Sequence, residues 1–440
     1  MAEAELKREL GLFDTTMMNV GGIIGSGIFL VPAVIATLLD GWGPILTAWL
    51  LGGMVALLGA LALAELGAAM PHAGGPVVYL NRAFGPVWGY LYGWSAAVVT
   101  NPAGIAAIAY AFATYLAFFV PLDQSGVKLV AIASIVLLTA LNCLGIRLGA
   151  VTNNILSSGK LLALAAIVAG ALLFPGGSWE NVPPLWPAGA AMGAFGLAMV
   201  AVLWTYDGWV NLSYLAGEMR DPQRTLSRAA LWSMVLLTGL YLLVNAALMY
   251  VLPLSRMAGR DLVLADAVAV TLGAVGATLV AAAIVLSTLS ATHVTILSAA
   301  RVPFAMAREG LFFEWAGLVH PRWRTPSASL LAQAALAIAF TATGTFNQLI
   351  TYVIFVSYVF FALCAAAVIR LRRTAPDLPR PYRTWGYPVT PVLFIVFALG
   401  LVANTILEAP REAAIGAVIV LLGLPGYALF RAGRRRVVPA

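Results

Sequence analysis

The chain has 440 residues, of which 62% are apolar and only 10% charged, with a formal net charge of +7 and a mean hydropathy of +0.94. A water-facing surface needs roughly a quarter to a third of its residues charged, so this composition excludes a soluble globular protein. In lipid only helices or closed barrels satisfy their backbone, and long apolar runs without two-residue alternation select helices.

Residues 1 to 11 form a short charged segment. Apolar segments follow at 12 to 39, 44 to 69, 86 to 120, 127 to 147, 152 to 174, 190 to 217, 228 to 252, 272 to 306, 327 to 342, 346 to 370, 387 to 407 and 413 to 430. This pattern predicts an all-α membrane protein of about twelve transmembrane helices. The first apolar segment leads into further spans rather than a small-residue cleavage site, which predicts no removable signal peptide. The segments at 86 to 120 and 272 to 306 exceed a bilayer and must tilt or project beyond it. An even count puts both termini on one side. With the termini in the cytoplasm, nearly all of the 25 lysines and arginines fall in inner loops and in the basic tail 431 to 440. Only Lys128, Arg256, Arg260 and Arg411 then lie outside, and Lys160 lies within a span. The positive-inside rule therefore predicts cytoplasmic termini, and it accounts for the basic balance as topology instead of nucleic-acid binding. Cys143 and Cys364 both fall in apolar segments, where small core residues are expected in preference to a disulfide.

Two spans carry helix-hostile residues at mid-membrane depth. The first reads GGIIGSGIFLVP from Gly21 to Pro32, with Gly25, Ser26 and Gly27 about midway. Glycine is poor in helix interiors, so the chain can unwind there. A half-helix ending near Ile24 would present free carbonyls, which attract an ammonium or a cation. A second half-helix beginning near Ile28 would present amides at its positive end, which attract a carboxylate. One break thus offers both halves of a zwitterion site. The sixth span contains LWTYDGWVN from Leu203 to Asn211, with Asp207 and Gly208 inside a long apolar run. A carboxylate at this depth is expected to face the bundle interior. Breaks in spans one and six are expected if residues 12–174 and 190–371 form two inverted repeats with the substrate held between them, followed by two further helices at 387–430.

Other singular residues admit more than one reading. Lys160, in SSGKLLAL of the fifth span, either snorkels to the headgroups or stands between repeats where a coupling sodium would otherwise bind. His293, midway along the eighth segment, is a packing residue, a protonation site or a pocket residue. Asn101 and Pro102 interrupt the third span, with Asn101 a possible pocket residue. Glu65, near the end of the second span, is expected in a surface ion pair or as a loop anchor. No phosphate loop, Cys/His metal spacing, Gly-x-Ser-x-Gly elbow or potassium-type filter is present. The sequence thus predicts no cofactor, no metal and no enzymatic activity.

The segments GGIIGSGIF (21 to 29), AELGAAMPHAGGPVVYL (64 to 80), SSGKLLAL (157 to 164), YDGW (206 to 209), AGEMRDPQRTL (216 to 226) and AREG (307 to 310) resemble the amino acid, polyamine and organocation superfamily. Within it the chain is most similar to bacterial relatives of the L-type amino acid transporters. The resemblance covers nearly the whole chain in register. It implies a five-plus-five inverted-repeat core of the leucine-transporter type with discontinuous helices one and six. It also implies sodium-independent amino acid transport, often by exchange. Carried over by position, Gly25, Ser26 and Gly27 would receive the substrate carboxylate, and the carbonyls of Ile23, Trp204 and Asp207 its α-amino group, with Thr205 beside them. Trp204 would be the aromatic lid, and Lys160 the lysine that replaces sodium. Eukaryotic members bond to a single-span partner through a cysteine between spans three and four. Residues 121 to 126 here read PLDQSG, so no disulfide-linked heavy subunit is expected. The reading is a cytoplasmic-membrane transporter exchanging neutral amino acids. Its rivals are proton-coupled symport or cationic amino acid or polyamine transport on the same fold, and a non-transporting receptor or channel.

Overall fold

The computed structural model describes residues 6–173, 175–186, 192–260, 263–343 and 346–437. Residues 1 to 5 of the N-terminal segment, 190 and 191 at the predicted start of the sixth span, and 438 to 440 of the basic tail lie outside the described residues. Among the described residues, ten helices are long and apolar enough to cross a membrane, and a further pair, Leu12–Ile23 and Gly27–Leu38, forms one span bent by 42°. With the shorter apolar helix Ser327–Ala342, every predicted segment corresponds to a helix or a helix pair. Ile155, Leu162, Leu173 and Leu407 stand on the outer surface, each at least 68% exposed. On helices of this length and apolarity, such side chains fit a surface turned to lipid.

The two overlong segments resolve differently. The third span is continuous over Pro86–Leu116, but Ser95–Thr100 is wound as a π-helix immediately before Asn101 and Pro102. Proline lacks an amide hydrogen, so a wider turn ahead of it absorbs the missing bond without a sharp kink. The eighth segment is divided: Val263–Ala299 kinks at Gly273, whose φ of 63° and ψ of −154° suit glycine alone, and Arg301–Arg308 follows as a separate helix.

The second span, Trp42–Ala69, runs against the sixth, seventh and eleventh spans through its small residues. A Cβ at Gly59 would stand 2.6 Å from Phe394 and 2.8 Å from Trp209. Between helices in lipid, such close approach replaces the hydrophobic drive of soluble cores. Spans three, four, eight and nine enclose a separate apolar core around Ile105, Ile135, Ile296 and Leu330. Glu65 is 2% exposed, so its ion pair is buried and not at the surface, while the expected anchoring of a loop is seen at Thr384. It receives two bonds from Arg372, of 2.8 and 2.6 Å, and one from the Thr384 amide at 2.7 Å, which ties the second span to the tenth and to the loop beyond it. Cys143 and Cys364 are free and buried, as the apolar context predicts.

Candidate functional site

The helical path of the first span stops at Ile23 and resumes at Gly27. The Gly25 amide turns back onto the Ile23 carbonyl at 2.8 Å, and Phe29 is the first residue of the second half-helix whose amide returns to Ser26. The amides at the start of this half-helix therefore point out of the helix end, as first-turn amides must. The sixth span is helical over Met192–Tyr206 and again over Asn211–Tyr214. Between them Gly208 has a φ of +118°. A Cβ there would lie 2.9 Å from the Gly22 carbonyl oxygen, so glycine serves both the conformation and the contact. The two breaks also touch at Gly27, where a Cβ would meet Thr205 Cα at 2.9 Å. The crossing of the two interrupted helices is thus a backbone-to-backbone contact that side chains would prevent.

A cavity of about 90 Å³ opens at this crossing. Of the residues expected from the sequence, Ile23, Gly25, Ser26, Gly27, Asn101, Trp204, Thr205 and Asp207 all line it. Trp204 is half-buried at its edge. Asp207 presents a carboxylate oxygen, Oδ1, that has no hydrogen-bond partner among the described residues, and so does the Asn101 amide nitrogen. Both polar side chains face space large enough to admit a polar ligand.

Lys160 does not line the cavity. It is fully buried, with Nζ donating to the carbonyl oxygens of Gly21 at 2.8 Å and Ile24 at 2.7 Å. A longer contact of 3.4 Å reaches the Ser287 carbonyl of the eighth span. Snorkelling is excluded by this burial. The carbonyls that end the first half-helix are therefore divided. Those of Gly21 and Ile24 are taken by the lysine, and Ile23 remains on the cavity wall. A cation at a helix C-terminus stabilises it by complementing the dipole.

His293 also lies away from the cavity. Its Nε2 bonds the Gly149 carbonyl at 2.9 Å, and its own carbonyl accepts from Asn142 at 3.2 Å. It packs spans four, five and eight together and is not among the residues that line this cavity, because its position on the helix turns it toward the fifth span. Several lining residues went unrecognised in the sequence. Tyr92 and Tyr214 share a hydroxyl-to-hydroxyl hydrogen bond across spans three and six, and the Tyr92 ring stands edge-on to Phe360 at 5.5 Å. Asn211, Ser95 and Ser357 add polar groups to the wall. Asn211 had a usable signal, as an amide in an apolar run directly after YDGW. The tyrosines had none, since each is one of several aromatics in its span.

The amino acid permease family profile matches residues 10–428. The serine/threonine exchanger SteT of Bacillus subtilis is 31% identical over 429 residues, which cover 96% of each chain. The human b(0,+)-type amino acid transporter 1 is 33% identical over 437 residues, covering 97% of this chain and 88% of its own. The human large neutral amino acids transporter small subunit 2 is 32% identical over 444 residues, covering 96% and 80%. Helices broken at the same cavity and this full-length similarity lead to one conclusion: the chain belongs to the amino acid permease family, and it is a multi-pass membrane transporter of amino acids and not an enzyme.

Proposed function

We propose that this chain exchanges neutral amino acids across the cytoplasmic membrane, without sodium, by alternating access. The observation that carries the reading is that one cavity is bordered by both helix breaks. In it the backbone at Gly25, Ser26 and Gly27 receives the substrate carboxylate, through the amides of Ser26 and Gly27, since the Gly25 amide is turned back to Ile23. The carbonyls of Ile23, Trp204 and Asp207 receive the α-amino group, with Thr205 filling the crossing behind them. Opposed helix ends of this kind are complementary to a zwitterion. Trp204 acts as the lid. The Lys160 ammonium, bonded to the Gly21 and Ile24 carbonyls, does the work of a bound sodium ion.

Residues 12–174 and 190–371 form the two inverted repeats, each beginning with its interrupted helix, and both termini face the cytoplasm. The arginine distribution supports that orientation. The separate core of spans three, four, eight and nine supports a scaffold against which the broken helices rock. No disulfide-linked subunit is needed: both cysteines are buried and none lies in the 121–126 loop.

The unpartnered Asp207 oxygen on the cavity wall favours one second reading, a cationic amino acid as co-substrate. A thermal-shift screen of the twenty amino acids tests both readings, since a ligand that binds only the folded state raises its apparent stability. Neutral amino acids should stabilise the protein, and their decarboxylated amines should not. Stabilisation by amines as strong as by the parent amino acids would overturn the zwitterion site. Stabilisation confined to arginine and lysine would replace neutral exchange by the second reading.

A further inference from the structure

The two broken spans are joined a second time, outside the cavity. Leading into the first span, the Glu9 and Leu10 amides both donate to the Glu218 carbonyl at 3.0 Å, and the Arg220 amide donates back to Leu10 at 3.0 Å. Leu10 is buried beneath this bridge at 1% exposure. Glu218 itself lies just beyond the sixth span, four residues after Tyr214 of the cavity wall. Its carboxylate takes two bonds from Arg301, Nε to Oε1 at 2.7 Å and Nη2 to Oε2 at 2.9 Å. Arg301 also donates to the Leu297 carbonyl, one turn back on the eighth span. Side-chain exposures of 1% and 0% make this a fully desolvated pair.

The half-helix Leu12–Ile23 and the end of the sixth span are thus strapped to one another, and at this N-terminal end the buried Glu218–Arg301 pair ties the strap to the eighth span, apart from the bonds of Ser287 and Lys160 at the break itself. Toward the cavity, the Tyr92–Tyr214 bond ties the end of the sixth span to the third span. A paired guanidinium and carboxylate without water are stable only together, so they either stay locked or separate into solvent. That makes the contact two-state, as an opening device must be.

We propose that Glu218 and Arg301 are positioning residues for transport: their ion pair latches the N-terminal side of the cavity, and its rupture lets the strapped halves of spans one and six swing away together to release substrate on that side. The proposal rests on the alternating-access reading above, with the N-terminal side cytoplasmic.

The test uses the full chain carrying Ala96→Cys as a reporter on the cavity wall. Both native cysteines are buried, which keeps background labelling low. A membrane-impermeant maleimide is applied from the cytoplasmic face of inside-out vesicles. Glu218→Gln in this background should speed reporter labelling about tenfold and lower the ratio of external to internal apparent affinity, as expected for a shifted two-state equilibrium. The exchanged pair Glu218→Arg with Arg301→Glu should return labelling toward the parent rate. If Glu218→Gln does not accumulate, Arg301→Lys keeps the charge but loses the second bond, and should speed labelling to a smaller degree. An unchanged labelling rate in a variant still stabilised by amino acids would overturn the latch. Failure of the transport reading would show separately, as absence of amino acid stabilisation in the unmodified chain.

Discussion

Lys160 Nζ lies 2.7 Å from the carbonyl oxygen of Ile24, so a buried ammonium on the fifth span is bonded to the broken end of the first. Ser287 Oγ donates to the same oxygen at 3.0 Å and to the Gly25 carbonyl at 3.1 Å. The eighth span therefore grips the break from the other side. The unwound backbone is held by side chains of two helices that are distant from it in sequence, which is how irregular backbone is tolerated at membrane depth.

Lys160→Met keeps the apolar stem and removes every donor. The Gly21 carbonyl then loses its partner, at about 1–3 kcal/mol for a group left unsatisfied, while the Ile24 carbonyl keeps only Ser287. Thermal stability should fall and amino acid affinity should weaken, since the first half-helix loses its brace. A variant with the parent melting temperature and the parent exchange rate would refute the bracing role.

Gly27 and Gly25 should respond differently to alanine. At Gly27 a Cβ would lie 2.7 Å from Thr205 Oγ1 and 2.9 Å from its Cα, whereas at Gly25 the nearest atom is the Ala291 methyl at 3.7 Å. Gly27→Ala should abolish exchange and lower stability by about 1–3 kcal/mol, as overpacking does. Gly25→Ala should fold with parent stability, so melting temperatures of the pair decide the matter.

Gly208→Ala combines a φ of +118° with a 2.9 Å approach to the Gly22 carbonyl. Strain of this kind costs on the order of 1–3 kcal/mol. We expect loss of uptake together with a lowered melting temperature; normal uptake would show that the crossing of the breaks can part without consequence.

Trp204→Ala removes a half-buried ring at the cavity edge without leaving a buried polar group behind. The protein should remain folded and still be stabilised by substrate, while exchange into preloaded liposomes slows by about tenfold or more, equivalent to a barrier raised by ~1.4 kcal/mol. Equal exchange rates would return the residue to packing alone.

Replacing sodium by choline should leave exchange unaltered, because the Lys160 ammonium already supplies the positive charge between the first, fifth and eighth spans. Comparing preloaded with empty liposomes under an inward proton gradient separates exchange from proton symport. Strict sodium dependence in either format would overturn the role assigned to Lys160.

The class of protein, the order of its spans and both helix breaks were legible in the amino-acid sequence because each is a local property. Apolar runs report the solvent, and Gly25-Ser26-Gly27 and Asp207-Gly208 are hostile to a helix whatever surrounds them. The fates of isolated polar residues were not local. Lys160 finds its acceptors 139 and 136 positions away in the chain, and Arg301 finds Glu218 at a separation of 83. His293 looked equally suited to the cavity, yet its rotation on the eighth span turns it to Gly149. Glu65 resembled a surface group until the tenth span brought Arg372 against it. A polar group in a membrane helix must find a partner somewhere. Periodicity shows that the need exists, but only the packing of helices far apart in sequence decides which partner meets it.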